Sequence, residues 1–400
     1  MKNIRNVTED ILWIGASDRR LALFENIFPI PRGVSYNSYV ILDEKTAVLD
    51  TVDASVSGQF FENLAASLNG KAPDYLIINH MEPDHCAMIA DFLMRYPKTV
   101  LVGNAKTFTM IGQFFELDLS EEQKLLVKEG DELSLGNHTL SFVMAPMVHW
   151  PEAMMTYDAK DKVLFSADAF GTFGALNGNI FADEVDFDRD WLDDARRYYT
   201  NIVGKYGANV QAVLKKAGGI DIGVICPLHG PIWRENLAYI LEKYQKWSTY
   251  EAEDKAVAIF YSSVYGDTAS AVDALAGKLA EKGLKDIRVY DVSNTDVSDM
   301  IGEIFRVSTI VLAATTYNNG IYPKMEHLIT DMKALNVQKK RVALMENGTW
   351  APASGKLMRA ELETMKEMTV LTPSLTIKSA LKTEQETELD QLAEAITSDL

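Results

Sequence analysis

The sequence predicts an α/β protein of two domains, the second of them a doubly wound parallel sheet. Three observations carry that expectation. Short β-like apolar runs alternate with helical periodicity along the chain. At 400 residues the chain exceeds what one hydrophobic core usually holds. Beyond residue 250 the short runs give way to continuous apolar strands of the buried parallel kind. The expected domains are residues 1–250 and 255–400.

In the first domain, Tyr39-Val40-Ile41-Leu42 and Thr46-Ala47-Val48-Leu49 flank Asp43-Glu44-Lys45, the pattern of a hairpin. Ser57 to Leu68 and Asp190 to Tyr206 read as helices. Tyr75-Leu76-Ile77-Ile78, Thr99-Val100-Leu101-Val102 and Thr139-Leu140-Ser141-Phe142-Val143 read as strands. The polar stretch from Gln245 to Asp254 reads as a helix end running into a linker.

The chain has six histidines, and four of them stand where β-like runs end. His80-Met81-Glu82-Pro83-Asp84-His85 follows Tyr75–Ile78, and His149, Asp168 and His229 each follow another apolar stretch. These are seven potential ligands, enough for two metal ions sharing a carboxylate. Imidazole and carboxylate without thiolate suit zinc, iron or manganese rather than an iron–sulfur cluster. Alternation puts His80, Glu82 and Asp84 on one side of an extended turn, and leaves His85 to reach a neighbouring ion. Aspartate, with two oxygens, is the natural bridge between cations about 3.5–4 Å apart. The opposing reading, scattered core or surface polar groups, does not account for every member sitting at a strand end.

Cys86 and Cys226 are too few for a disulfide framework and read as buried free thiols. Glu152 is a candidate to orient an imidazole by hydrogen bonding. Trp150, Tyr198 and Tyr199 are looser candidates near the ligands, because aromatics there are more often core.

In the second domain Ala256-Val257-Ala258-Ile259-Phe260-Tyr261 is a buried strand. It leads through Ser262-Ser263-Val264-Tyr265-Gly266-Asp267-Thr268 into a helix with Val272, Leu275 and Leu279 on one face, which Gly283 is placed to stop. Hydroxyls and N–H groups at a helix N-terminus favour a phosphate. The Walker ending and the GxGxxG pattern are both missing, which disfavours a dinucleotide. Ile310–Ala314 is a second strand, ending in Thr315-Thr316-Tyr317-Asn318-Asn319-Gly320. Val342–Met345 is a third, ending in Glu346-Asn347-Gly348-Thr349-Trp350. Three loops at the carboxyl ends of parallel strands converge where doubly wound sheets bind ligands. Lys339-Lys340-Arg341 reads as a solvated turn. Thr383-x-x-Glu386 has capping-box spacing ahead of Leu389, Leu392 and Ile396 on one helical face.

A net charge of −18 argues against nucleic acid or an anionic membrane as partner. No apolar run approaches the eighteen residues of a membrane span, and the N-terminus lacks a secretory apolar core. The expected location is cytoplasmic.

The spaced cluster resembles the metallo-β-lactamase fold, whose hydrolases usually carry His-x-His-x-Asp-His and bind zinc. Here Glu82 stands where a histidine is expected. That substitution resembles the flavodiiron proteins (A-type flavoproteins), whose dinuclear site holds iron. An anionic ligand in place of a neutral one favours the harder ferric state. The resemblance implies that His80, Glu82 and His149 bind one iron and Asp84, His85 and His229 the other, with Asp168 bridging. The loop at 262–268 resembles the FMN-phosphate loop of flavodoxins, which set their second and third loops against the isoalloxazine ring. The third loop departs from the commoner Ser-Tyr-Gly-Trp-Ser-Gly run, although Trp350 persists; it contacts the ring or packs on the next helix. The resemblance covers both domains. It implies an N-terminal metallo-β-lactamase-like αβ/βα sandwich followed by a flavodoxin-like domain.

A flavin and a diiron site together imply an enzyme that reduces dioxygen to water, nitric oxide to nitrous oxide, or both. The first reaction takes four electrons and the second two. The resemblance also implies a head-to-tail homodimer or dimer of dimers. Its electron donor would be external, a rubredoxin or a reduced deazaflavin, since paired CxxC motifs for an appended rubredoxin-type site are missing. The competing reading is a dinuclear zinc hydrolase with an accessory flavodoxin-like domain. Glu82 and the full set of flavin loops count against it.

Overall fold

Alternating apolar runs build two sheets in the first half of the chain. The computed structural model describes residues 2–398 and 400. The first sheet has seven strands in chain order: Arg5–Asn6, Ile11–Trp13, Tyr39–Ile41, Ala47–Leu49, Tyr75–Ile77, Val100–Gly103 and Lys124–Leu126. The hairpin expected at residues 39–49 is present as an antiparallel pair, Tyr39 opposite Leu49. From Ala47–Leu49 onward the strands run parallel. The second sheet has five strands, Glu132–Ser134, Thr139–Met144, Met154–Asp158, Val163–Phe165 and Val224–Cys226. Its last pair is parallel and the others antiparallel. Trp13, Tyr39, Leu49 and Ile77 from the first sheet share one buried cluster with Leu140, Phe142, Phe165 and Cys226 from the second. Burying both inner faces in one core makes this a sandwich.

This half comprises residues up to Tyr199 together with Ala208–Gln245. A second compact unit comprises Thr200–Gly207 and the chain from Lys246 on. Its sheet is all parallel, in the order Ile287–Asp291, Asp254–Tyr261, Val307–Thr315, Arg341–Asn347, Thr369–Val370, with Leu375–Ile377 also pairing to Arg341–Asn347. That order, with the first strand inside the second, is the flavodoxin-like doubly wound arrangement. Val257, Ile259, Val311, Ala313 and Ala343 bury against Leu275, Leu279, Leu389, Leu392 and Ile396 in a separate core.

Several local expectations change. The helix expected from Asp190 to Tyr206 is a succession of turns: α over Leu192–Tyr198, π over Tyr199–Val203, 3-10 over Gly204–Tyr206. Gly204 and Gly207, weak helix formers, stand at that last seam. The linker is shorter than expected, because one helix runs to Ser248 and Asp254 is already in a strand. Thr383 opens a 3-10 turn instead of capping the last helix, whose N-cap is Gln385 without a side-chain bond. Lys340 is no part of a solvated turn. It is buried, and its ammonium donates to the carbonyls of Phe305 (3.0 Å) and Val307 (2.8 Å). The four-carbon stem lets it reach the C-terminal carbonyls of the helix Val297–Arg306, which lack partners within the helix.

Candidate functional site

Every proposed metal ligand leaves the carboxyl end of a strand: Tyr75–Ile77 for His80 to His85, Thr139–Met144 for His149, Val163–Phe165 for Asp168, Val224–Cys226 for His229. In the second sheet those three strands point the same way, so their loops share one edge of the sandwich.

There the seven residues form two groups around Asp168. His80 Nε2 lies 3.3 Å from His149 Nε2, and Glu82 Oε2 lies 3.4 and 3.0 Å from those two nitrogens. Asp168 Oδ2 completes this group at 3.1 and 3.2 Å. In the other group His85 Nε2 and His229 Nε2 are 3.0 Å apart, and Asp84 Oδ2 is 3.3 Å from each. Asp168 turns its other oxygen, Oδ1, to them at 3.3 and 3.6 Å. Donors about 2.1 Å from a common ion lie roughly 3.0–3.4 Å from one another in tetrahedral or octahedral arrangements. These separations match.

Both oxygens of Asp84 and both of Asp168 are buried without a hydrogen-bond partner among the described residues. Orphaned buried carboxylate oxygens are expensive unless a cation compensates them. Without one, burial opposes the imidazolium form of His80, yet the Asp168 charge 3.1 Å away, with the nearby carboxylates of Glu152 and Glu82, holds its pKa well above the ordinary value. The same balance lifts His149 to about 9. The donor set demands positive charge, so it fits a metal pair.

Neighbouring residues fix the ligands. Glu152 Oε1 accepts from His80 Nδ1 (2.9 Å) and from the Met81 N–H (2.8 Å). The Ser35 carbonyl accepts from His229 Nδ1 at 2.8 Å. Both bonds keep the ring proton on Nδ1 and turn the Nε2 lone pair inward. Asp50 accepts from Asn79 N (2.7 Å), Asn79 Nδ2 (2.8 Å) and His80 N (3.1 Å), and burial pushes its carboxyl up to about 6. Sequence reasoning missed Asp50 and Ser35. Asp50 carried a usable signal, an acid directly following the apolar strand Ala47–Leu49. Trp150 stands edge-on to His80, and Tyr198 lies 5.4 Å from the His229 ring. Tyr199 packs on Tyr244 instead. Phe24, on the hairpin Leu23–Phe24/Phe28–Pro29, meets the His229 ring edge to face, with centroids 5.5 Å apart. Cys86 and Cys226 are buried and free, outside both groups.

A third grouping, His138 with Asp158 and Asp161, lies away from these ligands. His138 Nδ1 is 3.0 Å from Asp158, and Lys160 Nζ approaches His138 Nε2 to 3.1 Å while also pairing with Asp10. Lys160 supplies the positive charge there, so we read an ion network.

In the second unit a cavity of about 520 Å³ opens at the carboxyl ends of Asp254–Tyr261, Val307–Thr315 and Arg341–Asn347, within the usual range for a cofactor. Ser263, Val264, Tyr265, Asp267 and Thr268 line it, with Thr315 to Asn319 and Asn347 to Ala351. Ser262 is buried behind the wall, its hydroxyl accepting from Thr315 N. Gly266, at φ +104°, makes the turn into the helix Asp267–Glu281, and Gly320 closes a tight bridge with Tyr317. Ser379, after the strand Leu375–Ile377, also lines the cavity, unforeseen from the sequence. Asn347 clamps it, donating to the Ser379 carbonyl (2.7 Å) and accepting from its N–H (3.0 Å). Trp350 is 87% exposed at the mouth, so it does not pack on the following helix. Hydroxyls, backbone groups and aromatics around a helix N-terminus fit a flavin phosphate and ring.

Family models agree with these two architectures. One described as ODP family beta lactamase matches residues 34–230, and one described as a flavodoxin domain matches residues 258–378. The anaerobic nitric oxide reductase flavorubredoxin of Klebsiella pneumoniae is 33% identical over 350 residues, 86% of this chain and 72% of that protein. Rubredoxin oxygen:oxidoreductase from Desulfovibrio gigas superposes with a TM-score of 0.89 at 27% identity, covering 98% of each chain. The flavodiiron protein of Giardia intestinalis shares the fold, with a TM-score of 0.91 at 24% identity over 100% of this chain and 96% of that one. With the two-metal ligand set and the flavin-sized cavity in one polypeptide, the chain belongs to the flavodiiron protein family.

Proposed function

We propose that this protein is an oxidoreductase reducing dioxygen to water, nitric oxide to nitrous oxide, or both. An external donor would supply the electrons, and FMN and a diiron site would be the redox groups that carry them. The observation that carries this reading is the double ligand group centred on Asp168, with Glu82 in the first group, in the same chain as the flavin cavity. The names of the Klebsiella and Desulfovibrio relatives support the two gases. A carboxylate at Glu82 favours iron over the zinc of a hydrolase.

In this reading His80, Glu82 and His149 would hold one iron and Asp84, His85 and His229 the other, with Asp168 facing both groups. When bound, the irons supply a Lewis-acidic redox pair and the flavin supplies one- and two-electron transfer. The protein's own part is orientation and exclusion. Glu152 and Ser35 fix two imidazoles, and Asp50 holds the loop that starts at Asn79. Phe24, Tyr36 and Tyr198 surround His229 with apolar edges that keep bulk water away.

The donor we favour is a rubredoxin, with a reduced deazaflavin as the other arm of the test. A head-to-tail homodimer in the cytoplasm belongs to the same reading. Among the described residues no helix is long and apolar enough to cross a membrane. The test is gas consumption by the anaerobically reduced, iron- and flavin-loaded protein, with each gas supplied separately. Rapid loss of one names the substrate. Loss of neither, with zinc found in the protein as isolated, returns the hydrolase reading.

A further inference from the structure

The flavin cavity has an unusual charge balance at its phosphate end. That end is the turn at Gly266 and the first turn of the 15-residue helix Asp267–Glu281, where the helix dipole presents positive charge. Among the described residues lining the cavity, Asp267 is the one with a formally charged side chain, and neither lysine nor arginine is among them. Asp267 is also exposed and is the first residue of that helix. One loop donor is already committed, since the Gly266 N–H is taken up by Ser263 Oγ at 3.0 Å. The Thr268 hydroxyl is shared with Thr315 Oγ1 (3.1 Å) and Asn347 Nδ2 (3.2 Å).

We infer that Asp267 opposes the phosphate of the bound flavin and so sets how weakly this pocket discriminates FMN from a flavin without phosphate. A carboxylate and a phosphate compete for one helix terminus and repel each other at short range. The ring and ribityl contacts from the second and third loops then supply most of the grip. The net charge of −18 adds to the repulsion. This inference rests on the FMN reading above.

The test titrates flavin-stripped, full-length protein with FMN and, separately, with riboflavin, following flavin fluorescence. Asp267→Asn is expected to tighten FMN on the order of tenfold while riboflavin moves less than about twofold. Adding salt is expected to tighten FMN in the unaltered protein, by a margin that shrinks in D267N. Asp267→Ser gives the same charge change with a different side chain and guards against a folding artefact in one variant. Unchanged or weaker FMN binding in both variants, or equal gains for both flavins, overturns the inference while leaving the FMN reading intact. Binding of neither flavin to any form overturns the FMN reading itself, and the inference with it.

Discussion

Asp168 has two carboxylate oxygens and turns one to each imidazole pair, so of the seven candidate ligands it is the one that faces both groups. Asp168→Ala is expected to strip both irons while leaving flavin content unchanged, read as iron and flavin per chain. His229→Ala should empty the second group first. Glu152 acts one step removed: Glu152→Ala leaves all seven ligands but frees His80 to tilt, and iron affinity is expected to fall roughly 10–100-fold in competition with a chelator. Lys340 gives a prediction of another kind. Burial pushes its pKa from the ordinary 10.5 down to about 7, against the raising influence of Glu253. Between those values the unfolded chain holds a proton that the folded chain lacks, so stability should climb with pH by up to about 1.4 kcal/mol per unit. The cost of burying this amine is full below the folded value and gone above the unfolded one. Lys340→Met should flatten that slope, measured as the difference in urea midpoints between the two proteins from neutral to alkaline pH.

At the scale of elements, the ligand turns depend on backbone shape. Gly230 has φ +74°, and a Cβ there would stand 2.1 Å from Thr172 Cγ2. Its N–H donates to Ser35 Oγ at 2.7 Å, beside the carbonyl that orients His229. Gly230→Ala should therefore lower the thermal midpoint and also lower iron occupancy at the His229 group, the loss of iron marking displacement of the turn. The ladder of His80, Glu82, Asp84, His85, His149, Asp168 and His229 was legible in the sequence because each follows an apolar strand. Donor spacing written into strand ends survives folding. Glu152 was legible as well, from the need of a ligand imidazole for an acceptor. Ser35 and Ser379 were not: Ser35 acts through its backbone carbonyl in the short strand Val34–Tyr36, and Ser379 through its place just after Leu375–Ile377, and neither role leaves a periodic mark. Lys340 was misread for a similar reason. A basic tripeptide before a strand looks solvated until the neighbouring helix end offers its carbonyls.

Over the whole molecule, the two cores are separate, one filled by Trp13, Tyr39 and Phe165, the other by Val257, Leu275 and Leu392. Losses of iron and of flavin should accordingly be independent: Asn347→Ala, which frees Ser379, is expected to lower flavin occupancy without changing iron content. Activity with either gas should then fall in proportion to whichever cofactor is missing. Thr200–Gly207 belongs with the flavodoxin-like unit, held there by Tyr250, whose hydroxyl donates to the Gly204 carbonyl (2.9 Å) and accepts from Asn336 (3.0 Å). Asn201 adds a bond to the Ser298 carbonyl. The ribosome therefore releases part of the second unit before the last strand of the first, and the two halves cannot mature strictly one after the other. Gene fusions or splits placed at residue 250 would strand that octapeptide on the wrong side of the cut.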